Sequence, residues 1–72
     1  MKNGFSTEIL AQNIIALCKR ENISVNGMLK CCNLNRSIVD NLRKGYFPTV
    51  DKVAIIAQYF NVSMEYLLRK NE

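Results

Sequence analysis

Seventy-two residues suffice for one hydrophobic core but not for two, so a single domain is expected over 1–72, with no second, catalytic domain. The 49% hydrophobic and 22% charged composition is that of a globular protein, which excludes a disordered tail or a membrane segment. A formal charge of +4, from ten basic and six acidic side chains, favours polyanionic partners over cationic ones.

Met1 to Ser6 form an N-terminal segment without the hydrophobic stretch and cleavage site of a secretory signal. No apolar run approaches the length that spans a bilayer, so a cytoplasmic protein with no membrane partner is expected. Five helices are then predicted over 7–69, leaving 70–72 as a tail. Their starts share a signature: an apolar residue, then in most cases directly a Ser, Thr or Asn cap, with a second apolar residue five positions after the first. It reads Phe5-Ser6 with Leu10, Ile23-Ser24 with Met28, Leu34-Asn35 with Val39, Pro48-Thr49 with Val53, and Val62-Ser63 with Leu67.

The first helix, Thr7 to Glu21, carries Leu10, Ile14, Leu17 and Cys18 on one face, and Asn22 offers a stop. The second, Val25 to Cys32, directs Met28, Leu29 and Cys32 inward and ends at Asn33, which tolerates left-handed backbone. The third, Arg36 to Lys44, is expected to bury Val39 and Leu42 and to end at Gly45. Tyr46-Phe47-Pro48 forms a loop, since Pro48 biases Phe47 away from helical dihedrals. The fourth helix, Val50 to Phe60, presents Val53, Ile56, Ala57 and Phe60, and the fifth, Met64 to Arg69, presents Leu67 and Leu68. Helices four and five are expected to cover the first three.

Cys18, Cys31 and Cys32 are odd in number, and two of them are adjacent, which does not fit the even framework of a disulfide-stapled secreted domain. With no histidine in the chain a structural zinc site lacks ligands, and the plainest role for these residues is packing. A vicinal Cys31–Cys32 disulfide would be strained. No metal or cofactor is expected. Catalysis is not expected either: the chain has no histidine, no phosphate-gripping glycine loop and no acid pair at useful spacing.

The second and third helices are each about two turns long, and the tight Asn33-Leu34-Asn35 connection makes them cross steeply, as in a helix-turn-helix. With Val39 and Leu42 inward, Arg36, Ser37, Asp40, Asn41 and Lys44 fall on the opposite side of the third helix. The segment from Lys30 to Tyr46 holds Lys30, Arg36, Arg43 and Lys44 against Asp40 alone, which is +3 of the total +4. Such a concentration is an electrostatic footprint for a polyanion, though solvated helix faces are often basic as well.

Four segments resemble the Cro and phage-repressor type of helix-turn-helix protein, the XRE family. They are Ile23-Ser24-Val25-Asn26-Gly27-Met28-Leu29-Lys30, Leu34-Asn35-Arg36-Ser37-Ile38-Val39, Gly45-Tyr46-Phe47-Pro48-Thr49, and the stretch from Ile55 through Ala57, Phe60-Asn61-Val62-Ser63 and Leu67-Leu68. The resemblance covers nearly the whole chain. It implies an all-α, five-helix, lambda-repressor-like DNA-binding domain whose helix 36–44 enters the major groove of double-stranded DNA. It also implies a small transcriptional regulator, with repression the family's commonest use.

Base-reading positions then fall on Arg36, Ser37 and Asn41. Arg suits guanine, Asn suits adenine and Ser adapts to either. Asp40 either pairs with Arg36 or Lys44 or accepts from a cytosine amino group. Phosphate contacts are expected from the helix start at Val25 and Asn26 and from Arg43, Lys44 and Tyr46, with Lys30 a further candidate. Plain solvated surface is the competing reading of each of these residues.

Three departures stand out from the family pattern. Val25 replaces the usual phosphate-binding Gln, Cys18 and Arg43 replace an internal Arg–Glu pair, and Leu29 and Asn33 replace the small Ala and the Gly at the crossing. A homodimer on paired half-sites is expected, with Tyr59, Met64, Tyr66 and Leu68, or the Phe5 segment, as candidate contacts. The rival is a protein-interaction module or antitoxin-like partner on the same fold, with apolar Ile38, Tyr46 and Phe47 near the binding face. No small-molecule ligand is evident from the sequence.

Overall fold

Helices α1 (Thr7–Arg20), α2 (Val25–Cys31), α3 (Ser37–Arg43), α4 (Val50–Phe60) and α5 (Met64–Leu68) account for the regular structure, with no strand among the described residues. The computed structural model describes residues 6–70, so Phe5, expected both as a staple and as a dimer contact, lies outside the described residues. The chain is all-α. No helix among the described residues is long and apolar enough to cross a membrane.

The starts obey the capping chemistry. Ser6 Oγ accepts from the amides of Glu8 and Ile9, Ser24 Oγ from Gly27, and Ser63 Oγ from Tyr66. Each such cap is worth about 1 kcal/mol. At α3 the hydrogen-bond ladder begins one residue later than expected. Arg36 already has helical dihedrals, and Asn35 Oδ1 accepts from the Ser37 amide at 2.8 Å. The first turn is tight: the Ile38 and Val39 amides donate to the carbonyls of Asn35 and Arg36, three residues back. At α4 the Thr49 hydroxyl caps no amide. It faces the Asp51 carboxylate instead and holds it below the ordinary carboxylate range.

The ends of α1 to α4 follow one rule. Glu21, Cys32, Lys44 and Arg69, expected as last helical residues, stand instead as C-caps. After α1 to α4 a residue takes the left-handed conformation: Asn22 (φ 56°), Asn33 (φ 59°), Gly45 (φ 92°) and Asn61 (φ 59°). Each time the next amide reaches back five residues: Ile23 to Cys18, Leu34 to Leu29, Tyr46 to Asn41, and Val62 to Ala57, at 2.8–2.9 Å. These are Schellman closures, which satisfy carbonyls the helix leaves open. Three of them run straight into the next cap, so Asn22-Ile23-Ser24, Asn33-Leu34-Asn35 and Asn61-Val62-Ser63 are one three-residue joint used three times.

α1 is the hub, packing against α2, α3 and α5, while α4 packs against α5. The core combines Leu10, Ile14, Leu17 and Cys18 of α1 with Met28, Leu29, Ile38, Leu42, Val53, Ile56, Ala57, Phe60 and Leu67. Cys32 and Leu68, expected inward, are only half-buried. α5 is too short to hold itself. Asn13 of α1 fixes it, its Nδ2 donating to the carbonyls of Leu67 at 2.7 Å and Arg69 at 2.8 Å.

Candidate nucleic-acid interface

α3 sits on the hub through Ile38 and Leu42, each 5% exposed, whereas Val39 is half-buried at the edge of the core. This corrects two expectations: Ile38 is the anchor in place of Val39, and it is withdrawn from the outer surface where a partner could touch it. At about 100° per residue, pairing Leu42 with Ile38 instead of Val39 turns the outward face by about 50°. Asp40 then lies at the centre of that face. Arg36 and Arg43 flank it on one side, Ser37 and Lys44 on the other, and Asn41 moves to the margin.

All six of these side chains are exposed. Among the described residues, Arg36, Asp40, Arg43 and Lys44 form no ion pair, so the i±4 pairing offered for Asp40 does not occur. The ion pairs Arg20–Glu21 (3.2 Å) and Glu65–Arg69 (3.5 Å) lie elsewhere, on exposed surface where such pairs contribute little. The outward face of α3 therefore carries four charges whose hydrogen-bonding groups are open to an incoming ligand.

The remaining positions singled out in the sequence surround this face. Ser24 spends its hydroxyl on the Gly27 amide at 2.9 Å, leaving the amides of Val25 and Asn26 at the start of α2. The Asn26 side chain is exposed, whereas Val25 is half-buried, so only its backbone is offered. Lys30 is exposed on α2. Beyond α3, Gly45 adopts a positive φ with open space around its missing Cβ, and the reversal leaves Tyr46 64% exposed.

Two groups escaped the sequence. Val50, 71% exposed, joins Tyr46 and Phe47 in an uncovered apolar set after α3. Ile15, 47% exposed, stands at the mouth of a cleft among α1, α2 and α3. Ile15 lies off the apolar stripe of α1, and that mismatch is the one signal the sequence carried, whereas Val50 is in register with Val53 and Ala57 and is exposed at the first position of α4.

The thiols occupy three environments: Cys18 buried, Cys32 half-buried and Cys31 exposed. Burial, and secondarily a neighbouring thiol, pushes Cys18 and Cys32 above the ordinary thiol value. The Cys31 thiol beside the Tyr59 hydroxyl likewise raises that phenol. Cys18 and Cys32 are therefore protonated, weakly reactive thiols at neutral pH. Tyr59 also meets Phe60 edge to face, with ring centroids 5.0 Å apart. Of the dimer candidates, Tyr59 and Tyr66 are exposed, and Met64 and Leu68 are half-buried against the core.

Comparison of the chain with protein-family models, with curated proteins and with solved structures returns no match.

Proposed function

We propose that this chain binds double-stranded DNA sequence-specifically as a lambda-repressor-like helix-turn-helix protein and regulates transcription by occupying its site. α2 lies across the backbone and helix 36–44 enters the major groove. The observation that carries the proposal is the unpaired polar face of α3, set off by the Asn33-Leu34-Asn35 joint and held by Ile38 and Leu42. The cationic excess of 30–46 and the resemblance to the XRE family add to it.

Arg36, Ser37 and Asp40 read base edges from the centre of the face and Asn41 from its margin, each good bidentate pair contributing roughly 1–3 kcal/mol of discrimination. Asp40 repels phosphate and selects an amino group, so it disfavours sites without a cytosine opposite it. Arg43, Lys44, Tyr46, Lys30, Asn26 and the Val25 amide hold phosphates and set register. A homodimer meeting through Tyr59, Met64, Tyr66 and Leu68 places two such helices on paired half-sites, and repression follows when the site overlaps a promoter.

Selection from a random duplex pool, followed by anisotropy titration at several salt concentrations, tests the proposal. It requires an enriched, palindromic site, affinity that falls steeply with salt, and loss of sequence preference in Arg36→Ala/Asn41→Ala. A pool that enriches nothing overturns it. One observation favours the second reading, a protein-interaction or antitoxin-like module: the uncovered Tyr46, Phe47 and Val50. That reading requires partner binding that is insensitive to salt and abolished by Tyr46→Ala/Val50→Ser.

A further inference from the structure

The open cleft among α1, α2 and α3 holds about 290 Å³ and reaches the core: Ile14, Met28 and Leu42, with Ile56 of α4 beneath them, form its floor, none more than 5% exposed. That volume sits just under the usual range of small-molecule sites, which begins at about 300 Å³, so only a small ligand fits. Val25 and Val39 form walls, and Ile15 leaves a large apolar side chain in water at the mouth. The polar groups stand at the rim: Ser24, whose hydroxyl already caps the Gly27 amide, Asn26 of α2, and Arg36, Asp40 and Arg43 at i, i+4 and i+7 along one stripe of α3.

We propose that this cleft binds a small amphipathic carboxylate, its hydrocarbon tail on the Ile14–Met28–Leu42 floor and its head between Arg36 and Arg43. The lining selects that chemistry by exclusion. No polar or charged side chain is buried among the described residues, so a sugar or nucleotide base would lose its water hydrogen bonds on the floor without replacement. A hydrocarbon without a head would leave both guanidiniums unused. Two unpaired guanidiniums against one carboxylate make the rim net cationic, and arginine matches a carboxylate in bidentate fashion. Asp40, one turn from each arginine, disfavours a doubly charged head such as a phosphate monoester.

Arg36, Asp40 and Arg43 belong both to this rim and to the outward face of α3. A bound carboxylate therefore neutralises part of the surface offered to DNA, and it acts as an inducer. That coupling rests on the DNA-binding proposal; occupancy of the cleft does not.

The test uses the intact ¹⁵N-labelled chain, titrated at low salt with sodium octanoate and, in parallel, with octan-1-ol. Octanoate is expected to give saturable amide shifts centred on Ile15, Val25, Asn26 and Val39, binding about tenfold more tightly than the alcohol. Arg36→Gln/Arg43→Gln, which alters only exposed side chains, brings octanoate down to the level of the alcohol. Val39→Phe fills the cleft and abolishes both. Equal affinity for acid and alcohol, shifts that do not saturate, or shifts confined to Tyr46, Phe47 and Val50 overturn the proposal. If Val39→Phe does not fold, the arginine variant alone decides. Octanoate added to a selected duplex complex then reports the coupling. Saturable octanoate binding by a chain that enriches no duplex overturns the DNA reading alone, whereas duplex binding without octanoate binding overturns the cleft alone.

Discussion

Ile38→Ala and Val39→Ala, made separately, weigh two neighbouring residues of α3 against each other and so measure how the helix is rotated on the hub. Ile38 is 5% exposed, and removing a side chain that buried costs about 3 kcal/mol within the usual range for Ile→Ala. Val39 is half-buried, so at about 0.8 kcal/mol per buried methylene-sized group its truncation costs about 1 kcal/mol. A domain of this size holds roughly 4–10 kcal/mol in total, so the first change removes roughly 30% or more of its stability. In melting temperature the two losses correspond to falls of about 12–24 °C and about 4–8 °C. Urea unfolding followed by far-UV circular dichroism reads both, and the slope must be unchanged for the comparison to hold. Should Val39→Ala cost as much as Ile38→Ala, the rotation is wrong and Asp40 loses its central place on the outer face.

Asn13→Ala removes the two short bonds that hold the end of α5, at a cost of about 1–2 kcal/mol. Hydrogen exchange should show the loss first in α5, and protection that drops equally in α2 and α3 would contradict a local tie. The raised Cys18 and Cys32 thiols bind their protons more tightly folded than unfolded. Their stability contribution is therefore complete below 9.0, the ordinary thiol value, and is lost as pH rises through the folded values. Tyr59 acts in the same direction at higher pH, so the urea midpoint should fall on the alkaline side; a Cys18→Ala/Cys32→Ala variant with an equally steep fall would remove the thiols as its cause. A chromogenic disulfide reagent should modify exposed Cys31 first, Cys32 more slowly and buried Cys18 only on unfolding, and early reaction at Cys18 would show that α1 opens locally.

Local chemistry made most of the fold legible. The left-handed asparagines, the serine caps and the long stripes on α1 and α4 each act within a few residues, and the bounds of α4 follow from them directly. α3 was harder, because Ile38 and Val39 stand at i−4 and i−3 from Leu42 and both spacings fit a helical stripe. The tight first turn at Asn35 and the position of α1 choose between them, and neither is written in seven residues of periodicity. Asn13 was invisible for another reason: its partners are backbone carbonyls 54 and 56 residues away, which carry no side-chain signature. The exposed polar residues of α3 were legible as a set, while the order across its face depended on that one choice of anchor. The cleft is a shape left between helices, and only Ile15, off its stripe, hinted at it.

The three-residue joint has a kinetic consequence. Each closure spans at most six residues, so helix ends can be marked on the nanosecond-to-microsecond scale of local helix formation, before α1 meets α3 or α5. The slow step is then docking, not deciding where helices stop. Substitutions at Asn33 or Asn61 should therefore slow refolding, whereas Asn13→Ala, which breaks a tie made only on docking, should chiefly hasten unfolding.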